Sequence, residues 1–110
     1  MKTAELTGAL LDYWVARAEG VSAEIFYGQC VTPASQHHDE YQYKMYRPSF
    51  DWAQGGPLIE KYKMSITDAK GTWFVGASGV FLTRGSTPLV AICRAVVRAA
   101  FGDEVEEVAQ

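Results

Sequence analysis

The densest collection of chemically capable side chains is the run Tyr46-Arg47-Pro48-Ser49-Phe50-Asp51-Trp52-Ala53-Gln54-Gly55-Gly56-Pro57. Tyr46, Phe50 and Trp52 offer flat apolar faces on which a base or another ring can stack. Arg47 supplies a cation, Asp51 an acceptor and Gln54 an amide. Gly55-Gly56-Pro57 predicts a tight turn, with free φ followed by a locked one. Loops that mix aromatics with a few polar groups are common binding sites on rigid scaffolds. The same residues also read as core, because a small domain must bury its tryptophans somewhere and the glycines then only turn the chain. The composition of the run leaves both readings open.

A second candidate lies at Arg84 and Thr87-Pro88. Thr87 reads as an N-cap and Pro88 as the first residue of a helix, where its missing N–H costs nothing. The start of that helix carries free N–H groups and a positive dipole end, suited to an anion, and Arg84 would reinforce it. Arg94 and Arg98 stand one turn apart on the same helix. They are either solvated, paired with the Glu104 to Glu107 stretch, or turned into a cleft where they would clamp phosphate oxygens. His37 and His38 are adjacent and would point to opposite faces of a strand, so no metal site is expected from them. Cys93 falls on a buried helix face and reads as an inert thiol. There is no phosphate-loop signature, no Gly-x-Ser-x-Gly elbow and no His-Glu-x-x-His. A non-catalytic protein without a cofactor is therefore expected.

The elements that must position these groups are two helices and a set of short strands. Leu6, Leu10, Tyr13 and Trp14 recur at helical spacing and predict a helix from 4 to 18, capped by Thr3 and ended by Gly20. Glu5, Asp12 and Glu19 fall every seven residues on its opposite face, which is expected to be solvated. The segment 23 to 31 reads as a strand and 32 to 44 as a polar loop in which Tyr41-Gln42-Tyr43 adds a short strand. Ile59 to Asp68 begins as a helical turn or goes directly into a strand. Ala69-Lys70-Gly71 and 76 to 79 are turns flanking strands at 72 to 75 and 80 to 82, giving an antiparallel meander. The last helix runs to about Phe101, with Leu89, Ile92, Cys93, Val96 and Ala100 on one face. Val90, Val97 and Phe101 widen that face, so the helix is largely buried. The acidic tail from Asp103 is expected to fray. The fold class is α+β: a small antiparallel sheet of about four strands packed against an N-terminal and a C-terminal helix.

The bulk properties fit one domain. The chain has 110 residues, 48% apolar and 13% aromatic, enough for a core and too short for two domains. The net charge of −3 and pI near 5.3 argue against a binder of nucleic-acid polymers and against a polybasic membrane-surface protein. No export signal or bilayer-length apolar run is read, so a cytoplasmic location is expected, with Cys30 and Cys93 reduced and buried.

Four stretches resemble the NinX-like family of small phage proteins. They are Met1-Lys2-Thr3-Ala4-Glu5-Leu6-Thr7-Gly8, the run from Pro48 to Pro57, Gly85-Ser86-Thr87-Pro88-Leu89-Val90-Ala91 followed by Arg94, and Gly102-Asp103-Glu104-Val105. They follow the family's order over nearly the whole chain, while Thr32 to Lys44 is longer than the family pattern. The resemblance implies a phage or prophage accessory protein of the bacterial cytoplasm, with no assigned enzymatic activity.

Together these readings lead to an expected small-molecule binder for an anionic, nucleotide-like ligand. Trp52 and Tyr46 would stack on a base, Arg47, Arg84 or Arg94 would contact phosphates, and Gln54 with the Gly55-Gly56 backbone would give directional hydrogen bonds. Ser49, Asp51 and Thr87 complete the candidate set. Sequestration of a nucleotide signal of bacterial immunity follows from the phage setting and from no single residue. A homo-oligomer is expected, since small domains often build a pocket between copies. The rival expectation is a protein–protein interaction module acting on a host or phage enzyme, with the aromatic run as its hot spot.

Overall fold

The computed structural model describes residues 1–33, 43–77 and 81–108. The His37-His38 pair, the start of the Tyr41-Gln42-Tyr43 strand and the second half of the 76 to 79 turn lie outside the described residues, while Gly76 and Ala77 belong to a strand.

The C-terminal helix is the centre of the packing. Thr87 caps it, its hydroxyl accepting the Val90 N–H at 3.2 Å, and Pro88 opens it. This helix, Pro88–Phe101, buries Leu89, Ile92, Cys93, Val96 and Val97, and packs against both the N-terminal helix and a three-stranded sheet. The N-terminal helix, Gly8–Ala18, contributes Leu10, Leu11, Trp14 and Val15 to the same core, and Leu6 just ahead of it is fully buried. Gly20, at φ 72°, ends it in the left-handed conformation.

In chain order the elements are α1 (Gly8–Ala18), β1 (Glu24–Phe26), β2 (Gln29–Pro33), β3 (Tyr43–Met45), α2 (Trp52–Gly55), α3 (Pro57–Lys61), β4 (Met64–Ala69), β5 (Thr72–Ala77), β6 (Phe81–Gly85) and α4 (Pro88–Phe101). The expected α+β architecture with a helix near each end is present, but its strands form two antiparallel sheets, β1-β2-β3 and β4-β5-β6, each consecutive in sequence. The segment 23 to 31 is a hairpin and not one strand, because Tyr27 and Gly28 both take positive φ and reverse the chain. Lys70-Gly71 makes the equivalent turn between β4 and β5, where Ala69 pairs with Thr72.

Four local expectations are corrected. Thr3 is not a helix cap: its N–H donates to the Asp103 carbonyl and its hydroxyl to the Gly102 carbonyl, both at 2.8 Å, so it binds the two ends of the chain together. Residues Thr3–Glu5 are instead a single 3-10 turn, and Leu6 and Thr7 are extended before α1 begins. The stretch after α4 does not fray at its start. Lys2 and Glu104 form a β-bridge, the Val105 N–H donates to the Met1 carbonyl at 2.9 Å, and the Val105 side chain is buried. Asp12 and Glu19 are not on a solvated face. Asp12 is 3% exposed, and Glu19 accepts from the Tyr62 hydroxyl and from Lys61 Nζ at 3.0 Å, tying the end of α1 to the end of α3.

The fourth correction concerns Gly55-Gly56-Pro57, which is helical and not a tight turn: Gly55 closes α2 and Gly56 sits at φ −55°, ψ −44° between α2 and α3. Glycine is required at 55 for space. A β-carbon there would stand 2.2 Å from the Pro48 carbonyl oxygen and 2.7 Å from Leu89 Cδ2. The contact seats the central run directly on α4. Gly55→Ala is expected to destabilise the domain by about 2 kcal/mol through overpacking, read as a lower urea midpoint. A variant within experimental error of the wild type would show that the approach is not close.

Candidate functional site

The central run is built around intrachain hydrogen bonds. Asp51 caps α2, Oδ1 accepting the Ala53 N–H at 2.9 Å. Gln54 staples the loop: Oε1 accepts the Arg47 N–H at 2.6 Å and Nε2 donates to the Met45 carbonyl at 3.0 Å. The Ser49 N–H donates to Asp12 Oδ1 at 2.8 Å. Tyr46 is half-buried against the core, and burial, with smaller contributions from Glu19 and its neighbours, pushes its phenol pKa upward. Phe50 is 78% exposed and Trp52 53% exposed, so these two aromatics are surface and not core. The Arg47 guanidinium carbon lies 5.8 Å from the centre of the Phe50 ring.

Of this run, Arg47, Ser49 and Phe50 line a pocket of about 170 Å³, together with Gly8, Ala9, Asp12, Gly28, Gln29, Cys30 and Met45. Asp12 is the residue that sequence reasoning missed here. Its heptad spacing with Glu5 and Glu19 suggested a solvated face, and only the tertiary path of the Pro48–Phe50 turn over α1 buries it. Burial raises its carboxyl pKa to about 6, against the opposing pull of the Ser49 hydroxyl, the Ser49 N–H and Arg47. Burial likewise pushes Cys30 up to about 12 and raises Cys93, and both cysteines are buried and unpaired, as expected.

Arg84 and Arg94 belong to a second, larger cleft. It measures about 410 Å³ and is lined by Lys2, Thr3, Ala4, Phe74, Thr83, Arg84, Arg94, Arg98, Asp103 and Glu104. The positions follow from the fold. Arg84 stands on β6, Arg94 and Arg98 on α4, and Lys2 arrives through the pairing of the chain ends. Thr83, beside Arg84, donates from its buried hydroxyl to the Ala91 carbonyl at 2.8 Å and holds β6 on α4. Arg94 reaches two backbone carbonyls, Leu6 through Nε at 3.0 Å and Arg84 through Nη1 at 2.9 Å. The Leu6 carbonyl is available to it because the chain leaves helical geometry at Leu6 and Thr7. Desolvation, and then the nearby Arg84 charge, lower the Arg94 pKa. Arg98 pairs with Asp103, Nε to Oδ1 at 2.9 Å, so the acidic partner is the residue just before the expected Glu104 to Glu107 stretch.

The structure therefore divides the candidate residues. Arg47 and Ser49 meet in the small pocket, and Arg84 and Arg94 in the large cleft, with no lining residue shared. Tyr46, Asp51, Trp52, Gln54, Gly55, Gly56 and Thr87 line neither. Lys2 was missed because no local pattern signals contact between positions about a hundred residues apart.

The Asp12–Ser49 contact yields a pH test. Between the ordinary carboxyl value of 3.8 and the folded value of about 6, the folded protein binds the proton that the unfolded chain has already released. The Asp12 contribution to stability is therefore greatest below pH 4, declines as pH rises towards 6, and is constant above that. Asp12→Asn keeps an acceptor for Ser49 and removes the charge. It is expected to match the wild type near pH 4 and to exceed it by about 3 kcal/mol at pH 8, by the conversion of pKa shift to free energy. Urea unfolding at both pH values decides the matter, and an Asn variant that is weaker at pH 8 would show that the buried charge is stabilising.

A family model described as Bacteriophage P22, NinX matches residues 2–99. No curated protein matches the chain. The matched span includes every residue lining the small pocket and all four cations of the large cleft. The chain belongs to the NinX family of bacteriophage proteins.

Proposed function

We propose that this phage protein is a non-catalytic small-molecule binder that holds an anionic, nucleotide-like ligand in the large cleft between α4, β5, β6 and the N-terminal turn. One observation carries the reading: four of the ten lysines and arginines, Lys2, Arg84, Arg94 and Arg98, line one cleft against two carboxylates, Asp103 (paired with Arg98) and Glu104, so the lining keeps a positive excess in a chain whose net charge is −3. Cations gathered in a concave site with low-dielectric walls focus potential and favour a multiply charged anion. The volume of about 410 Å³ falls within the range typical of small-molecule sites. Phe74 on the wall offers a ring for stacking. Arg84 and Lys2 are the phosphate contacts in this reading, and Arg94 mainly frames the cleft through its two backbone bonds. Base stacking passes from Trp52 and Tyr46 to Phe74, since the former do not line the cleft. In a phage-infected cytoplasm, such a binder would act by sequestering a nucleotide signal of bacterial immunity.

A second reading has its own support. Phe50, with Arg47 over its ring, and Trp52 stand largely exposed, and Trp and Arg are among the residue types that dominate protein interfaces. In that reading the central run docks a host or phage enzyme, or a second copy of this chain.

A thermal-shift screen with linear, cyclic and ADP-ribose-type nucleotides separates the two. A ligand at 100 times its dissociation constant adds about 2.7 kcal/mol, a shift on the order of 10 °C for a domain of this size. Arg84→Gln and Lys2→Gln are each expected to weaken binding by about tenfold, the loss of one charge-assisted contact, while Trp52→Ser leaves it unchanged. Folded wild-type protein that responds to none of these nucleotides would end the binder reading in favour of the interaction module.

A further inference from the structure

The small pocket presents an unusual pair of charges. Asp12 is almost wholly buried, and Arg47, exposed at its mouth, lines the same 170 Å³. They are close enough for Arg47 to lower the Asp12 pKa. Yet they do not form an ion pair, and among the described residues neither has an ion-pair partner of opposite charge within 4.0 Å. Arg47 lies over the Phe50 ring, and Asp12 is bonded to Ser49. The other titratable groups that sense Asp12 are Cys30 on β2, Cys93 on α4 and Tyr46, and all three are held neutral by burial.

The structural task of Asp12 asks only for an acceptor. Its Oδ1 receives the Ser49 N–H, and an asparagine amide oxygen would do the same without the cost of a buried charge. A carboxylate in that position is explained if something cationic meets it. Arg47 cannot be the whole answer, since its guanidinium is held away on Phe50. A purely cationic ligand would be repelled by Arg47 and a purely anionic one by Asp12. A molecule that carries both charges is attracted by both.

We propose that the pocket between α1, the β1–β2 turn and the Arg47–Phe50 loop binds a small zwitterion of amino-acid size, its ammonium on Asp12 and its carboxylate on Arg47. The volume corresponds to between five and six water molecules at roughly 30 Å³ each, which suits a compact amino acid and not a nucleotide. Gly8, Ala9 and Gly28 leave the walls low, and Met45 and Phe50 supply apolar surface for a short side chain. Ser49 holds the carboxylate of Asp12 through its backbone N–H and its hydroxyl, and a carboxylate with about four lone-pair sites keeps acceptor capacity for a ligand ammonium. This site shares no residue with the large cleft, and it stands or falls separately from nucleotide binding there.

The test is a titration of the full chain, followed by amide chemical shifts, with alanine and valine. Each is run beside its matched amine (ethylamine, isobutylamine) and its matched acid (propionate, isovalerate). The amino acids are expected to bind about tenfold more tightly than either single-charge analogue, the worth of one charge-assisted pair, with shifts centred on Gly8, Asp12, Gly28 and Ser49. Asp12→Asn should remove the advantage over the acid, and Arg47→Gln the advantage over the amine. Both variants are checked for native spectra first, and Asp12→Asn is expected to remain folded. Three results would overturn the proposal: no shifts from any amino acid on folded wild-type protein, amines that bind as well as the amino acids, or affinity unchanged in both variants.

Discussion

The burial of α4 constrains everything around it. A helix with apolar residues on most of its circumference needs cover on several sides, and α1, β5, β6, the short helices and the N-terminal turn provide it. Full cover leaves little tolerance for polar interruption. Arg94, which breaks the apolar surface, is accommodated by bonding the carbonyls of Leu6 and Arg84. Those carbonyls come from a break in the N-terminal helical path and from strand β6, so one side chain joins three parts of the molecule. The same pressure for close cover places Gly55 against Pro48 and Leu89, where no side chain fits.

Both clefts arise at the margins of that cover. The larger one opens where α4 and β6 meet the paired chain ends, and its cations come from elements that the core has already fixed. The smaller one opens where the central run folds over α1. In each, the charged lining groups stand on backbone and side chains that are themselves hydrogen-bonded in place. Thr83 holds β6 on α4, Gln54 fixes the backbone of Arg47, and Ser49 orients Asp12. Such support limits side-chain reorganisation, so that any binding there would carry a smaller entropic cost.

The two long helices were legible from sequence because their signals are local: Thr87-Pro88 and Gly102 delimit α4, and Gly20 ends α1, whereas the short α2 lay hidden under the turn signature of Gly55-Gly56-Pro57. The α+β class and the buried, unpaired state of the cysteines were legible too. What escaped were features decided by tertiary pairing. Nothing near Thr3 announces that Gly102 and Asp103 will claim its hydroxyl and N–H, and so the predicted helix start moved to Gly8. Asp12 has the spacing of a solvated position and is buried by a turn thirty-odd residues away in the chain. The Gly-Gly-Pro run carries a turn signature, yet Gly55 is there for close approach. The amide and carboxylate of the aromatic run serve the loop itself, and Arg84 and Arg94, assigned with Arg47 to the same ligand, stand in a separate cleft.

The pairing of the chain ends has a consequence for the order in which the molecule is made. Lys2 and Glu104 close a loop of nearly the entire chain, and contacts of such sequence separation form late, because the entropy of closure must be met before they are rewarded. The wall of the large cleft that carries Lys2, Asp103 and Glu104 therefore cannot exist on a nascent chain until Glu104 has been made and has emerged. The hairpins β1–β2 and β4–β5 and helix α1 involve only neighbouring residues and can assemble during synthesis. The cleft is thus completed last, after the local hairpins and α1, by a contact that spans almost the whole sequence.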